Sequence, residues 1–140
     1  MFGSPGSRLS RKRAPDTTVT STKGLLGLKY VTDTRLAGGT AGAITLALTD
    51  AGHLLYHPGS DVTSRAVTIP LNATVAFGNT ATIPFYNDVS AGTLVFTPTG
   101  GVTLVLNGAS VATATSAAGF GGSLMHITGD IWQITGGSLS

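Results

Sequence analysis

The chain predicts an all-β fold: an antiparallel sandwich or jelly-roll-like barrel of about ten short strands, with an extended N-terminal arm. Three observations carry this expectation. From residue 43 onward apolar and polar residues alternate in short runs, the period of a half-buried strand. Gly, Pro, Asn and Asp recur between those runs at about ten-residue spacing, as in small sandwiches and barrels. Helix formers are scarce: glutamate is absent and lysine rare, while threonine, valine and glycine dominate.

The strands expected from alternation are 43–48 (AITLAL), 53–57 (HLLYH), 65–69 (RAVTI), 73–77 (ATVAF) and 81–86 (ATIPFY). Beyond them come 92–97 (GTLVFT), 102–106 (VTLVL), 110–114 (SVATA), 123–127 (SLMHI) and 131–135 (IWQIT). Asn107-Gly108 is the strongest turn among them, because both residues tolerate the positive φ that a two-residue hairpin requires. Gly129-Asp130 is a further turn site. Pro84 lacks an N–H, so an edge or a bulge is expected there. The segments TLALTDAG (45–52), TLVFTPTG (93–100) and TLVLNGAS (103–110) look alike. Generic strand-and-turn grammar accounts for that likeness, since a solenoid keeps a steadier period.

Charge divides the chain. Residues 1–35 hold seven basic and two acidic side chains, net +5; residues 36–140 hold one basic and four acidic, net −3. Arg65 is the last Lys or Arg, and after it only Asp88 and Asp130 carry formal charge. A soluble monomer covers roughly a quarter to a third of its surface with charge. A body without that cover is suited to packing against copies of itself or other proteins. Three regions follow: a basic arm at 1–23, a leucine-containing connector at 24–42 and a β-rich body at 43–140. The arm cannot bury enough apolar surface to offset its ordering entropy, so it is expected to be extended when docked. Arg8, Arg11, Lys12, Arg13 and Lys23 are its candidate partner contacts; Leu25, Leu26, Leu28 and Tyr30 are candidate anchors in the connector. The basic cluster could meet phosphates, but it lacks interleaved aromatics for base stacking, which favours a protein surface over nucleic acid.

Chemistry finds little purchase. Cysteine is absent, so disulfides and thiolate metal sites are excluded. His53 and His57 have the spacing of a zinc pair on a helix, but on a strand they stand roughly 13 Å apart, too far to share one ion. With His126 they are read as structural histidines, and no metal or cofactor is expected. Turn capping accounts for Asp50, Asp61 and Asp130. The GFGGS cluster at 119–123 lacks the Lys-Ser/Thr ending and the strand-to-helix setting of a phosphate loop. No nucleophile elbow is present, so neither catalytic residues nor a small-molecule substrate is expected. Phe77, Phe85, Phe96 and Trp132 fall in alternating segments and are expected in the core or at an interface. No run approaches the about eighteen apolar residues of a membrane span, and no apolar run follows the first ten residues as in a signal peptide, so synthesis in the cytoplasm is expected.

LALTDAGHLLYH (46–57), VTIPLNATVAF (67–77), ATIPFYNDVSAGTLVFTPTGGVTL (81–104) and IWQITGGSLS (131–140) together form a recognisable series. The body resembles a small β module that recurs in virion proteins of tailed bacteriophages: tail fibres, collar fibres and capsid decorations. The resemblance covers roughly residues 43–140 and rests on strand-and-turn patterns, moderately specific as a set. It implies a homotrimeric structural part or attachment domain without catalytic residues. Fibre chains of this kind carry long shafts before the module, whereas only about forty residues precede it here. That departure favours a capsid decoration (cement) protein, made in the host cytoplasm, that binds the major capsid protein on the capsid surface. The alternative is a tail or collar fibre or receptor-binding module.

Overall fold

In the computed structural model the described residues are 43–140. The arm and connector, with Arg8, Arg11, Lys12, Arg13, Lys23, Leu25, Leu26, Leu28 and Tyr30, lie outside the described residues. Ten strands form: β1 (Ala43–Thr45), β2 (Leu55–His57), β3 (Arg65–Ile69), β4 (Thr82–Asn87), β5 (Leu94–Pro98), β6 (Thr103–Leu106), β7 (Ala109–Val111), β8 (Ala114–Ser116), β9 (Gly121–Thr128) and β10 (Ile131–Gly136). They build a four-stranded sheet, β1-β3-β5-β8, and a six-stranded sheet, β2-β4-β9-β10-β6-β7. A single 3-10 turn at Leu48–Asp50 completes the regular structure of the described residues. The fold is all-β; neither sheet closes into a barrel.

The expected antiparallel pairing is corrected in half of the ladders. β1–β3, β3–β5, β2–β4 and β6–β10 are parallel; β4–β9, β9–β10, β5–β8 and β6–β7 are antiparallel. For the three parallel ladders among β1 to β5 the cause is connectivity. From β1 to β5 the chain steps from one sheet to the other at every strand. Neighbours in a sheet are then alternate strands in sequence, and alternate strands run the same way. The turns at 58–64 and 88–92 are therefore corners between sheets rather than hairpins. Stacked windings result, but Ala43 meets Ala66 while Arg65 meets Leu94, so their offsets are unequal. The uneven period explains why the repeat is faint in the sequence.

Two turns form hairpins as expected. Leu106 pairs with Ala109 across Asn107 (φ 51°) and Gly108 (φ 82°), the positive values that two-residue hairpins need. Thr128 pairs with Ile131 across Gly129-Asp130. The segment 73–77 is not a strand. Thr74 and Val75 both donate to the Leu71 carbonyl and Phe77 donates to Val75, so local turns consume the backbone groups. Segments 43–48 and 53–57 shorten to β1 and β2 because Leu48–Asp50 winds into a 3-10 turn closed by the Asp50 carboxylate on the Ala47 amide at 2.8 Å. The 110–114 segment splits between β7 and β8. Pro84 sits where β9 flanks β4 on one side and β2 has not yet begun, since β2 pairs only from Phe85 onward. Its missing N–H thus costs no β2 ladder bond.

One core lies between the sheets. Val67, Ile69, Leu94 and Phe96 face Ile83, Phe85, Leu124, Trp132 and Ile134, all at 5 % exposure or less. The Phe85 and Phe96 rings, one from each sheet, meet at 4.6 Å between centroids. Phe77, though in a turn, packs edge-on against Trp132 at 4.9 Å. Each such fully buried side chain contributes about 1.5–3 kcal/mol by leaving water.

Candidate functional site

The inward-facing alternation does not stay apolar to the ends of the strands. At one pole the last inward positions are His57 of β2, Arg65 of β3, Asn87 of β4 and Ser116 of β8, all buried. Asp61, from the corner between β2 and β3, reaches down among them and is also buried. Its Oδ2 accepts from Arg65 Nε at 2.7 Å and from His57 Nε2 at 3.1 Å, and its Oδ1 accepts from the Thr63 amide at 3.1 Å. Asn87 Nδ2 donates to the carbonyls of Gly92 (2.8 Å) and Ser116 (3.0 Å), which turns its Oδ1 towards His57 Nδ1 at 2.8 Å. Both ring nitrogens of His57 are thus engaged, Nδ1 by Asn87 and Nε2 by Asp61.

This network ties three loops together. Gly92 donates its amide to the Asp61 carbonyl, Asp88 to His57, Asn87 to Phe120 and Gly119 to Asn87, all within 3.0 Å. Loops 58–64, 88–92 and 117–120 are thereby fastened to the ends of four strands. Gly92 is obligatory here, because a β-carbon would land on the Thr63 carbonyl. The Asp61 carboxyl is held well below the usual carboxylate range, first by the Arg65 hydrogen bond and then by the Thr63 amide and His57, against the opposing effect of burial.

Above the polar layer the loops expose apolar side chains among their serines and threonines. Val62, Val89 and Phe120 stand on the three loops with 76, 63 and 42 % exposure, and Tyr86 borders them on the outer face of β4. Tyr56 lies parallel to Tyr86 with ring centroids 6.3 Å apart, and its hydroxyl donates to Asp88 Oδ2 at 2.5 Å. That bond, with the amides of Val89 and Gly59, lowers the Asp88 carboxyl from its ordinary value; the same bond raises the Tyr56 phenol. Tyr56→Phe is expected to return the Asp88 titration towards the ordinary carboxylate range with little change in fold, which an NMR titration of the Asp88 side chain checks.

The opposite pole repeats the pattern with one histidine. His126 is buried against Trp132 and Phe77, and its two ring nitrogens face the carbonyls of Gly78 (3.0 Å) and Gly129 (2.8 Å). Asp130 caps not its own turn but the 70–75 loop, accepting from the Asn72 amide at 2.6 Å. His53 is half-buried and meets the Thr49 carbonyl through Nδ1.

Phe77, Phe85, Phe96 and Trp132 are all placed in the core. Asp61 exceeds its expected capping role: it caps Thr63, and it also closes a buried ion pair. The linked set His57, Asp61, Arg65 and Asn87 was not anticipated. One signal was available: a lone arginine in a nearly uncharged body, four residues after an aspartate, needs a partner if it is buried. With His57 fully enclosed, the arrangement fastens loops and presents their apolar tips for contact. No protein-family model matches the chain, and neither a curated protein nor a solved structure is similar to it.

Proposed function

We propose that the protein is a structural component of a bacteriophage virion: a capsid decoration protein that sits on the shell as a trimer and is held to the major capsid protein by its basic arm. The observation that supports this most is where the charge lies. Arg65 is the one Lys or Arg among the described residues, and it is buried in the pair with Asp61, so this part of the surface offers no lysine or arginine to solvent. The opposite charge is concentrated in residues 1–35. A sparsely charged body without exposed Lys or Arg is suited to lie against protein, and a basic segment is suited to hold an acidic shell surface. The mechanism is mechanical: added contact across subunit boundaries of the shell resists internal pressure.

Deletion of residues 1–23 is expected to leave the body folded, with a melting temperature within a few degrees of the full chain, and to abolish binding to shells. Sedimentation of purified shells with either protein checks this, and full occupancy by the truncated chain refutes the anchoring role. The second reading, a fibre or receptor-binding module, is favoured by the exposed Tyr86, Phe120 and Val89 at one pole. Saturable adsorption of the chain to host cells, with a dozen or fewer copies per virion, would select it over decoration.

A further inference from the structure

The outer face of the six-stranded sheet carries no charged side chain. Its cross-strand rows are read from the register: Tyr56 beside Tyr86, Pro84 beside Ser123, and Thr82, Met125, Gln133, Val105 and Ser110 in line across five strands. Ile131 beside Thr103 ends the face, and the exposed Phe120 continues it over the loop pole. Tyr86 leans across Gly121 of the next strand, where a β-carbon would come within 3.0 Å of its ring. We propose that a second copy of this chain docks on this face, with Gln133 and Met125 near the centre of the contact.

Two arguments choose the occupant. The first is electrostatic. A partner bringing charge to the centre of this face, including the chain's own basic segment, would lose hydration and find no countercharge there, and the rim carboxylate, Asp88, is already engaged by the Tyr56 hydroxyl and the amides of Gly59 and Val89. A copy of the same face brings no charge to the centre of the contact and keeps its Asp88 at the rim. The second is area. Six strands at about 4.8 Å spacing and central strands about 20 Å long make roughly 500 Å² in projection. Side-chain relief and the continuation over Phe120 bring this near the roughly 800 Å² per partner of a stable interface. The outer face of the four-stranded sheet is the natural comparator. It is also uncharged, but it presents smaller side chains: Thr45, Ala66, Thr68, Val95, Thr97 and Thr115.

This interface rests on the multi-copy reading proposed above, and its test separates the two. Sedimentation velocity of the full chain compares wild type with Gln133→Lys and Thr97→Lys, each confirmed folded by circular dichroism. The expected result is a wild-type oligomer, association at least tenfold weaker in Gln133→Lys, and no change in Thr97→Lys. Because the chain has no cysteine, Gln133→Cys supplies a single thiol that tolerates the fold independently of added charge. It is expected to react with maleimide several-fold more slowly in the assembled state than after dilution. An oligomer that survives Gln133→Lys, dissociates in Thr97→Lys, or leaves the Gln133→Cys thiol equally reactive at both concentrations overturns this face. A wild-type monomer at tens of micromolar also overturns it, whereas the reading as a shell protein falls only if the full chain fails to bind shells.

Discussion

Asp61→Ala is expected to lower the melting temperature of the folded chain by about 12 °C or more. The estimate follows from burial. Asp61, Arg65 and His57 are at most 5 % exposed, and Asp61 Oδ2 serves both of the others. Removing one member of a buried pair costs about 3–5 kcal/mol, because the remaining charge stays in low dielectric without the carboxylate that faced it. One kcal/mol moves the midpoint of a domain of this size by about 4–8 °C. The loss should be more local than global in its first stages. Hydrogen exchange is expected to rise at Gly92, Asp88 and Gly119, whose amides close the three loops over the network. A melting temperature within about 3 °C of wild type would mean that the pair is no more than a surface contact in energy, contrary to its burial.

The same carboxylate sets an acid limit. Its folded value lies below the ordinary 3.8, held down first by Arg65. A lowered value means that the unfolded chain binds the proton more readily than the folded one. The stability it contributes is therefore fully present above about pH 4 and is lost as pH falls from there towards the folded value. Asp88 acts in the same direction, but it is partly solvated and its weight is small. Asp61→Asn is accordingly expected to lose most of the steep acid limb below pH 4 while lying below wild type at pH 7, as thermal melts across pH 2–7 would record.

How far the sequence announces this architecture depends on the range of the interaction concerned. RAVTI at 65–69 alternates cleanly and is β3 residue for residue. Asn107-Gly108 specifies its hairpin because the requirement is local to two φ angles. Parallel pairing is different. Nothing in a strand records whether its neighbour is the next strand or the one after it, and the Gly- and Pro-rich corners read like hairpin turns. Segment 73–77 alternates like a strand, yet its backbone amides close local turns, and Phe77 is buried through tertiary packing on Trp132. At the loop pole, His57, Asp61 and Arg65 are spaced by four, but Asn87 joins them from thirty residues away. Only a fold that brings the ends of β2, β3, β4 and β8 together makes those residues one group. The charge split, by contrast, needs no folding to be seen. What the structure adds is that the last cation points inward, which turns a sparsely charged body into one whose described surface lacks Lys and Arg altogether.

The glycine cluster at 119–123 shows most sharply how a motif acquires meaning only from its neighbours, and Gly122→Ala is expected to be among the most damaging single-methyl additions in the body. Gly122 lies in β9, held between β4 and β10, opposite Gly136 on one side and Phe85 on the other. A β-carbon there would collide with the Thr135 carbonyl oxygen and come within 2.8 Å of both Gly136 Cα and Phe85 Cζ. Close backbone approach of this kind is what glycine inside a strand serves. Overpacking a core costs about 1–3 kcal/mol when side chains can give way. Here the nearest obstacle is backbone in a paired strand, so the cost should reach or exceed the top of that range. Gly78→Ala is the control: it has open space and no positive φ, and it should stay within about 0.5 kcal/mol of wild type. A double variant decides which obstacle dominates. Phe85→Leu removes the ring atoms nearest the new methyl but leaves the Thr135 carbonyl in place. If the ring were the main barrier, the double variant Gly122→Ala/Phe85→Leu would melt above Gly122→Ala alone. The nearer carbonyl predicts the opposite: no rescue, and a further loss from the Phe85–Phe96 contact that joins the two sheets.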